Sequence, residues 1–309
     1  MIKLTDLILE KLETPKAVVM AGGGAVGKTY VLNQLHLSSL PQFNPDKYVE
    51  DPSHPYYNKL GPASSQVTKD VAAASNEKTN FVWDTTASNP KRIQELKDKG
   101  YDIYMVMVYA HPMISYAANF ERKRNIPSTA VFSTWRNIYQ LIGQYQQMLN
   151  GNLSVYVSDR GGKYTKEIAG FDQAAKSGVS GIKDYLISYN DEKGIEGSSF
   201  FTPVVMSKEE EEAFNIAVAD VEYNRDNRSE DKAVKNVFLK AFQKNGVSPG
   251  DDKLDLAAKK YRESSEKRHK ANDDVLENIA EMLFSPQFQE LLEHSDIKEI
   301  DSRLQSFLA

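Results

Sequence analysis

The chain has no cysteine and only five histidines in 309 residues. Without cysteine there is no disulfide scaffold, no thiolate-ligated zinc or iron–sulfur site and no thiol nucleophile. The histidines (His36, His54, His111, His269 and His294) lack the close spacing that brings imidazoles onto one metal. No run approaches the roughly 18 apolar residues of a membrane-crossing helix. The opening segment, Met1 to Glu10, lacks the long apolar stretch and small-residue cleavage site of a secretory signal. These absences lead to the expectation of a cytoplasmic protein with no membrane partner. Charge of one sign is not in excess either: 38 Lys and Arg face 43 Asp and Glu, a net of −5. A wholesale polyanion binder is disfavoured, although that balance still allows a local basic groove for nucleic acid.

With 40% hydrophobic residues, the chain has enough apolar material for a sizeable core. Leu4, Leu7, Ile8 and Leu12 recur at helical spacing and predict a short amphipathic helix at the start. Ala17-Val18-Val19-Met20-Ala21 is too short for a helix and suits a strand buried on both faces. Glycines follow, then a helical stretch over about 28–37. Residues 38–62 are loop-rich, with Pro41, Pro45, Pro52, Pro55 and Pro62. Phe81-Val82-Trp83 predicts a second buried strand that ends on Asp84. Asn89-Pro90 opens a helix and Gly100 stops it. Residues 101–109 are the most strand-like of all, rich in aromatic and branched side chains. Helices are predicted over about 112–124 and from about 128 to the Asn150-Gly151 cap, and a further strand over 153–157.

Strands alternating with helices give a parallel sheet covered on both faces. Residues 160–202 carry no pattern that fixes an element. Ser207 with Glu210 has the form of a capping box ahead of a helix bearing Phe214, Ile216, Val218 and Val221. A long helical pattern then runs over about 254–284. From Ser207 onward 16 basic residues face 23 acidic ones. The expected division is an α/β catalytic domain over residues 1–200 and an acidic, all-helical region over 201–309. That helical region, from residue 207 on, is the candidate surface for a protein partner. Within it, Lys259, Lys260, Arg262, Lys267, Arg268 and Lys270 are interrupted by Glu263 and Glu266, the mix of a solvated helix face.

Gly22-Gly23-Gly24-Ala25-Val26-Gly27-Lys28-Thr29 fills every position of G-x-x-x-x-G-K-[ST]. Small residues let consecutive backbone N–H groups converge on phosphate oxygens, and the following helix adds its positive end. In such a loop Lys28 reaches the β and γ phosphates and the Thr29 hydroxyl ligates Mg²⁺. On average residue usage a chance match occurs in about one chain in a hundred of this length. The flanking strand and helix make chance rarer still.

Two carboxylates and a basic cluster add to the loop. Asp46, about 17 residues beyond Thr29, falls where the second strand of such a sheet would end. A carboxylate there can accept the proton of an attacking hydroxyl, while Asn44-Pro45-Asp46 also has the composition of a simple turn. Asp84 closes an apolar strand at the edge where magnesium or substrate is met, or caps the next turn. Arg122 and Arg124 follow a predicted helix. They can fold over a triphosphate as planar, permanently charged donors, or merely complement a helix end. Met105, Met107 and Met113 read as core rather than as a ligand pocket. Trp83 and Tyr104 are candidates for stacking a base.

In these motifs the chain resembles the zeta-toxin-like P-loop kinases, phage-encoded relatives included, over roughly residues 17–160. The resemblance rests on the complete phosphate loop, Asn44-Pro45-Asp46-Lys47, and Val82-Trp83-Asp84-Thr85-Thr86. It extends through the strand over 101–109, Arg122 and Arg124 ahead of Ile126-Pro127, Trp135, and Val155-Tyr156-Val157-Ser158-Asp159. It implies a nucleoside-kinase-like, three-layer P-loop fold. It also implies transfer of the γ-phosphate of ATP or GTP, with Mg²⁺, to a hydroxyl on a small molecule, a nucleotide sugar or a nucleic acid. Asp46 would be the base and Arg122 and Arg124 the lid. The family's second acidic motif continues with glycine, threonine and a basic residue. Asp84-Thr85-Thr86-Ala87 does not, so the acceptor is not carried over. Two other readings compete: an NTPase whose helical tail binds a protein partner, and an interaction protein that retains a nucleotide site.

Overall fold

The computed structural model describes residues 14–37, 39–57, 59–122 and 126–195. Beyond these it describes 238–239, 242–243, 248 and 250–309. The predicted helices at the start of the chain and after Ser207 lie outside the described residues. Contacts divide the chain into two units. One comprises Met1–Ala118, Thr134–Thr165 and Met282–Ala309, and the other Asn119–Ser133 and Lys166–Glu281. The division expected at residue 200 differs from this one, because residues 282–309 group with the phosphate-loop unit.

In β1 (Lys16–Ala21) every residue from Ala17 to Ala21 is fully buried. Successive strand residues point to opposite faces, so both faces of β1 are covered. β4 (Asp102–Tyr109) is buried from Ile103 onward for the same reason. With β2 (Gln42–Phe43), β3 (Phe81–Asp84) and β5 (Leu153–Val157), these strands form one sheet in the order β2-β3-β1-β4-β5. Every pairing is parallel. Parallel strands bring all five carboxyl ends to one edge. The order reverses at β1, whose neighbours β3 and β4 lead to opposite sides of the sheet, and such a switch point opens a crevice for ligands.

The helices start with α1 (Lys28–Gln34), α2 (Asp46–Val49), α3 (Leu60–Asn76) and α4 (Pro90–Asp98). α4 begins as its sequence foretells: the Asn89 side chain accepts from the Lys91 N–H, and Pro90 stands at the first helical position. α5 (Pro112–Phe120) and α6 (Ser128–Tyr139) follow, then α7 (Ile142–Leu149). The single helix expected over 128–150 is therefore two, parted at Gln140-Leu141. The stretch over 160–202 is helical where described: a 3-10 turn (Arg160–Gly162), α8 (Thr165–Ala175) and α9 (Gly178–Lys193). α10 (Asp251–Phe284), α11 (Pro286–Leu291) and α12 (Ile297–Leu308) complete the described chain. Met105, Met107 and Met113 are fully buried, as core packing requires.

The second unit has a core of its own. Phe132 stacks on Phe171 at 6.3 Å, and Phe171 meets Tyr185 edge-on. α8 and α9 approach so closely that a Cβ on Gly170 would stand 2.6 Å from the Tyr185 ring. The Lys183 and Asp273 side chains form an ion pair in this unit.

Candidate functional site

Beyond Ala21 the chain turns through Gly22 to Gly27 and enters α1 at Lys28. At Gly22, φ is +150°, and a Cβ would lie 2.7 Å from the backbone oxygen of Val108 in β4. Only glycine lets β1 run this close to β4 and still turn. Ala25 and Gly27 also have positive φ, at +58° and +101°. The loop is thus wound tightly against the central strands.

Its floor is aromatic. Trp135 and Tyr139 on α6 are buried, and the backbone of Trp135 lies 3.5 Å from where a Gly23 Cβ would be. Both polar atoms are satisfied from strand ends: Trp135 Nε1 donates to the Ala110 carbonyl at 2.8 Å, and the Tyr139 hydroxyl to the Val108 carbonyl at 2.6 Å. Burial pushes the ionisation of Tyr139 far up, so it remains a neutral donor. These two residues carry the loop rather than meet a ligand.

A chain of polar contacts runs along the carboxyl edge of the sheet. The β2–β3 register sets Phe43 beside Trp83, so the next residues, Asn44 and Asp84, fall side by side. Asn44 Nδ2 donates to Asp84 Oδ2 at 3.0 Å, and the Asp46 N–H donates to Asn44 Oδ1 at 2.8 Å. On the other side, the β1–β3 register sets Asp84 beside Met20, just before the loop. Lys28 Nζ stands 3.8 Å from Asp84 Oδ1 and donates to the carbonyls of Gly22 at 3.1 Å and Gly23 at 3.0 Å. Asp84 is only 8% exposed, and a carboxylate that deep requires such partners.

Lys28, Asp84, Asn44 and Asp46 are therefore linked, although they come from three separate segments. Asp84 takes a role that neither sequence reading gave it, as the bridge from the loop lysine to the segment bearing Asp46. The turn chemistry of Asn44-Pro45-Asp46 is real as well, since Asn44 closes onto the backbone of Asp46. Thr29 is exposed on the first turn of α1.

Arg122 belongs to the second unit, and Arg124 lies outside the described residues. In that unit the buried Asn119 clasps Ile126 with both ends of its side chain, donating to the carbonyl at 2.8 Å and accepting from the N–H at 3.0 Å. Trp83 and Tyr104 are not open for stacking on a base. Trp83 is a buried β3 residue, and Tyr104 is buried with its hydroxyl 2.6 Å from Ser154 Oγ.

One residue escaped the sequence reading. Arg160, just beyond β5, donates from Nη2 to the Ala25 carbonyl at 2.6 Å. The available signal was position, since Ser158-Asp159-Arg160-Gly161-Gly162 leaves the last strand at the same carboxyl edge.

Strand order and loop together define an α/β domain of the P-loop kinase type. Residues 3–140 match the family model described as Zeta toxin, and the resemblance read from the motifs holds: this part of the chain is zeta-toxin-like. What that match supports in general is a P-loop phosphotransferase. No curated protein matches the chain.

Among solved structures, the PezAT chromosomal toxin–antitoxin system of Streptococcus pneumoniae is 18% identical with a TM-score of 0.37, over 51% of this chain and 75% of that one. The AvrRxo1-ORF1:-ORF2 complex is 14% identical with a TM-score of 0.39, over 47% and 55%. A provisionally assigned kinase from Chloroflexus aurantiacus is 16% identical with a TM-score of 0.29, over 35% and 67%. Likeness at this level fixes no shared activity.

Proposed function

We propose that the chain is a phosphotransferase that moves the γ-phosphoryl group of ATP or GTP onto a hydroxyl acceptor. The observation that carries this reading is the continuous link from Lys28 through Asp84 and Asn44 to Asp46 along one sheet edge. It couples the lysine of the phosphate loop to the carboxylate-bearing segment where an acceptor would be deprotonated.

In the reaction, the acceptor oxygen forms a bond to the γ-phosphorus as the bond from that phosphorus to the β–γ bridging oxygen breaks. Asp46 takes the hydroxyl proton, and the nucleoside diphosphate leaves. Lys28 neutralises charge on the β and γ oxygens, and the backbone amides of Gly22 to Thr29 orient them. For Arg122 and Arg124 the proposed role, carried by the resemblance, is to neutralise charge that develops on the phosphates during transfer.

Magnesium suits the donors present. Thr29 and Asp84 offer the hard oxygen atoms it prefers. When bound, Mg²⁺ would supply positive charge against that of the β- and γ-phosphate oxygens.

The test is incubation with γ-labelled ATP and Mg²⁺ against pools of sugar nucleotides, nucleosides, proteins and DNA. Label transferred to one pool identifies the acceptor class. Lys28→Ala and Asp46→Asn should each lower transfer by about a hundredfold or more. Label released only as free phosphate would overturn the kinase reading in favour of an NTPase. Transfer untouched by Asp46→Asn would remove the base assignment.

A further inference from the structure

We propose that Arg160 is a positioning residue for nucleotide binding, acting through the backbone of Ala25; this rests on the reading of the phosphate loop as the nucleotide site. Ala25 has φ +58°, a left-handed conformation that a residue with a Cβ adopts only under compulsion. Its neighbours Gly22, Gly23, Gly24 and Gly27 are free of that penalty, but Ala25 is not. Something outside the loop must hold it there, and the Arg160 guanidinium is in place to do so. Its Nη2 donates to the Ala25 carbonyl at 2.6 Å, a charge-assisted bond. Its Nε and Cζ lie 3.8 Å from the position of a Cβ on Gly27, so the group stretches along the loop from Ala25 to Gly27.

Arg160 is itself delivered by a built turn. The Ser158 N–H donates to the Tyr109 carbonyl at 2.7 Å, which continues the β4–β5 pairing past its last strand residue. The Asp159 carboxylate then accepts from the Gly161 N–H at 2.8 Å. Arg160, Gly161 and Gly162 follow with φ of +56°, +65° and +75°. The arginine therefore approaches the loop from the turn that follows β5, at the carboxyl edge of the sheet.

The consequence for the loop is geometric. A trans peptide points its C=O and N–H in opposite directions. With the Ala25 carbonyl drawn toward Arg160, the Val26 N–H is fixed on the other side, and a carbonyl dipole is turned away from any anion on that side. Arg160 thus sets the direction of one loop amide before phosphate arrives, and such preorganisation lowers the cost of binding.

The experiment is a double-mutant cycle of Arg160→Ala and Ala25→Gly, read by calorimetry with Mg·ATP and by amide exchange of residues 22–28 without nucleotide. Arg160→Ala should weaken Mg·ATP binding by about tenfold and speed exchange in the loop. Glycine adopts positive φ freely, so Arg160→Ala in the Ala25→Gly background should cost no more than about twofold. Arg160→Lys, which keeps charge but loses the planar fork, should fall between.

Equal affinity of wild type and Arg160→Ala would overturn the proposal. So would a full loss on Arg160→Ala in the Ala25→Gly background, which would mean that the guanidinium touches the nucleotide directly. Wild-type protein that takes up no nucleotide would sink the reading of the loop itself, and the role of Arg160 with it. The exchange data would still separate that outcome from a missing Arg160–Ala25 contact.

Discussion

At Gly22 and Gly23 two adjacent glycines of one motif have different physical reasons to be there. A methyl on Gly22 meets the Val108 backbone oxygen at 2.7 Å, and that carbonyl cannot retreat without disturbing β4 beside β1. A methyl on Gly23 meets nothing closer than 3.5 Å. Gly22→Ala is therefore expected to destabilise the protein by about 2 kcal/mol and to abolish Mg·ATP binding. Gly23→Ala should stay within about 0.5 kcal/mol of wild type. Thermal melts and calorimetry of the two variants side by side check this, and equal effects would refute it. The loop was legible in the sequence because its chemistry is local: eight consecutive residues carry it. The Asp84–Asn44 bond was not, because 40 residues separate the partners and only the β2–β3 register brings them together. Arg160 was missed for a related reason, since it stands 135 positions along the chain from the carbonyl it holds.

Among the elements, α12 shows how a short helix is held from both ends. The Asp296 side chain caps its start by accepting from the Lys298 and Glu299 N–H groups. Ile300 and Leu304, four residues apart on one face, are fully buried. On the neighbouring side, Asp301 accepts from the His36 backbone N–H at 3.2 Å and lies 2.7 Å from its ring, just past the end of α1. Partial burial alone would raise the Asp301 carboxyl, but the bonds from His36 and Gln305 outweigh it and hold the group below its ordinary value of 3.8. A depressed carboxyl contributes stability that is complete above that ordinary value and fades as pH falls through the lowered one. Amide protection in α12, taken relative to the intrinsic exchange rate at each pH, is thus expected to fall below about pH 4 in wild type, and Asp301→Asn should lose that dependence while being less protected at neutral pH. An acid response identical in both proteins would assign it to other carboxylates. Such a helix is harder to read from sequence than the strands were. β1, β3, β4 and β5 are dense apolar runs, whereas α3 follows a proline-rich loop and α9 opens on Gly178 with Gly181 inside its first turn. Their apolar spacing is thin, and packing against neighbours settles them.

At the scale of the whole molecule, the order of the chain and the order of its packing part ways. The charge balance suggested that everything beyond residue 200 is one acidic appendage, yet residues 282–309 fold into the phosphate-loop unit. Phe288 packs on Tyr109 and Trp135 at 6.0 and 6.1 Å, beneath the loop. The Ser295 N–H donates to the Val155 carbonyl at 3.1 Å, beside the last strand, and Lys16 Nζ reaches the Leu308 carbonyl at 2.9 Å. Phe288, Leu292, Ile300 and Leu304 are all buried in that unit. At about 1.5–3 kcal/mol each, their loss rivals the 5–15 kcal/mol that typically separates folded from unfolded domains. A chain ending at residue 281 is therefore expected to lose its cooperative melt and its uptake of Mg·ATP together, although every motif of the nucleotide site is retained. Leu304→Ala, which removes one contact rather than the whole segment, should lower stability by about 2–5 kcal/mol in the same melts. If the truncated chain instead melted like wild type, the last two helices would be an accessory laid on a unit that stands without them.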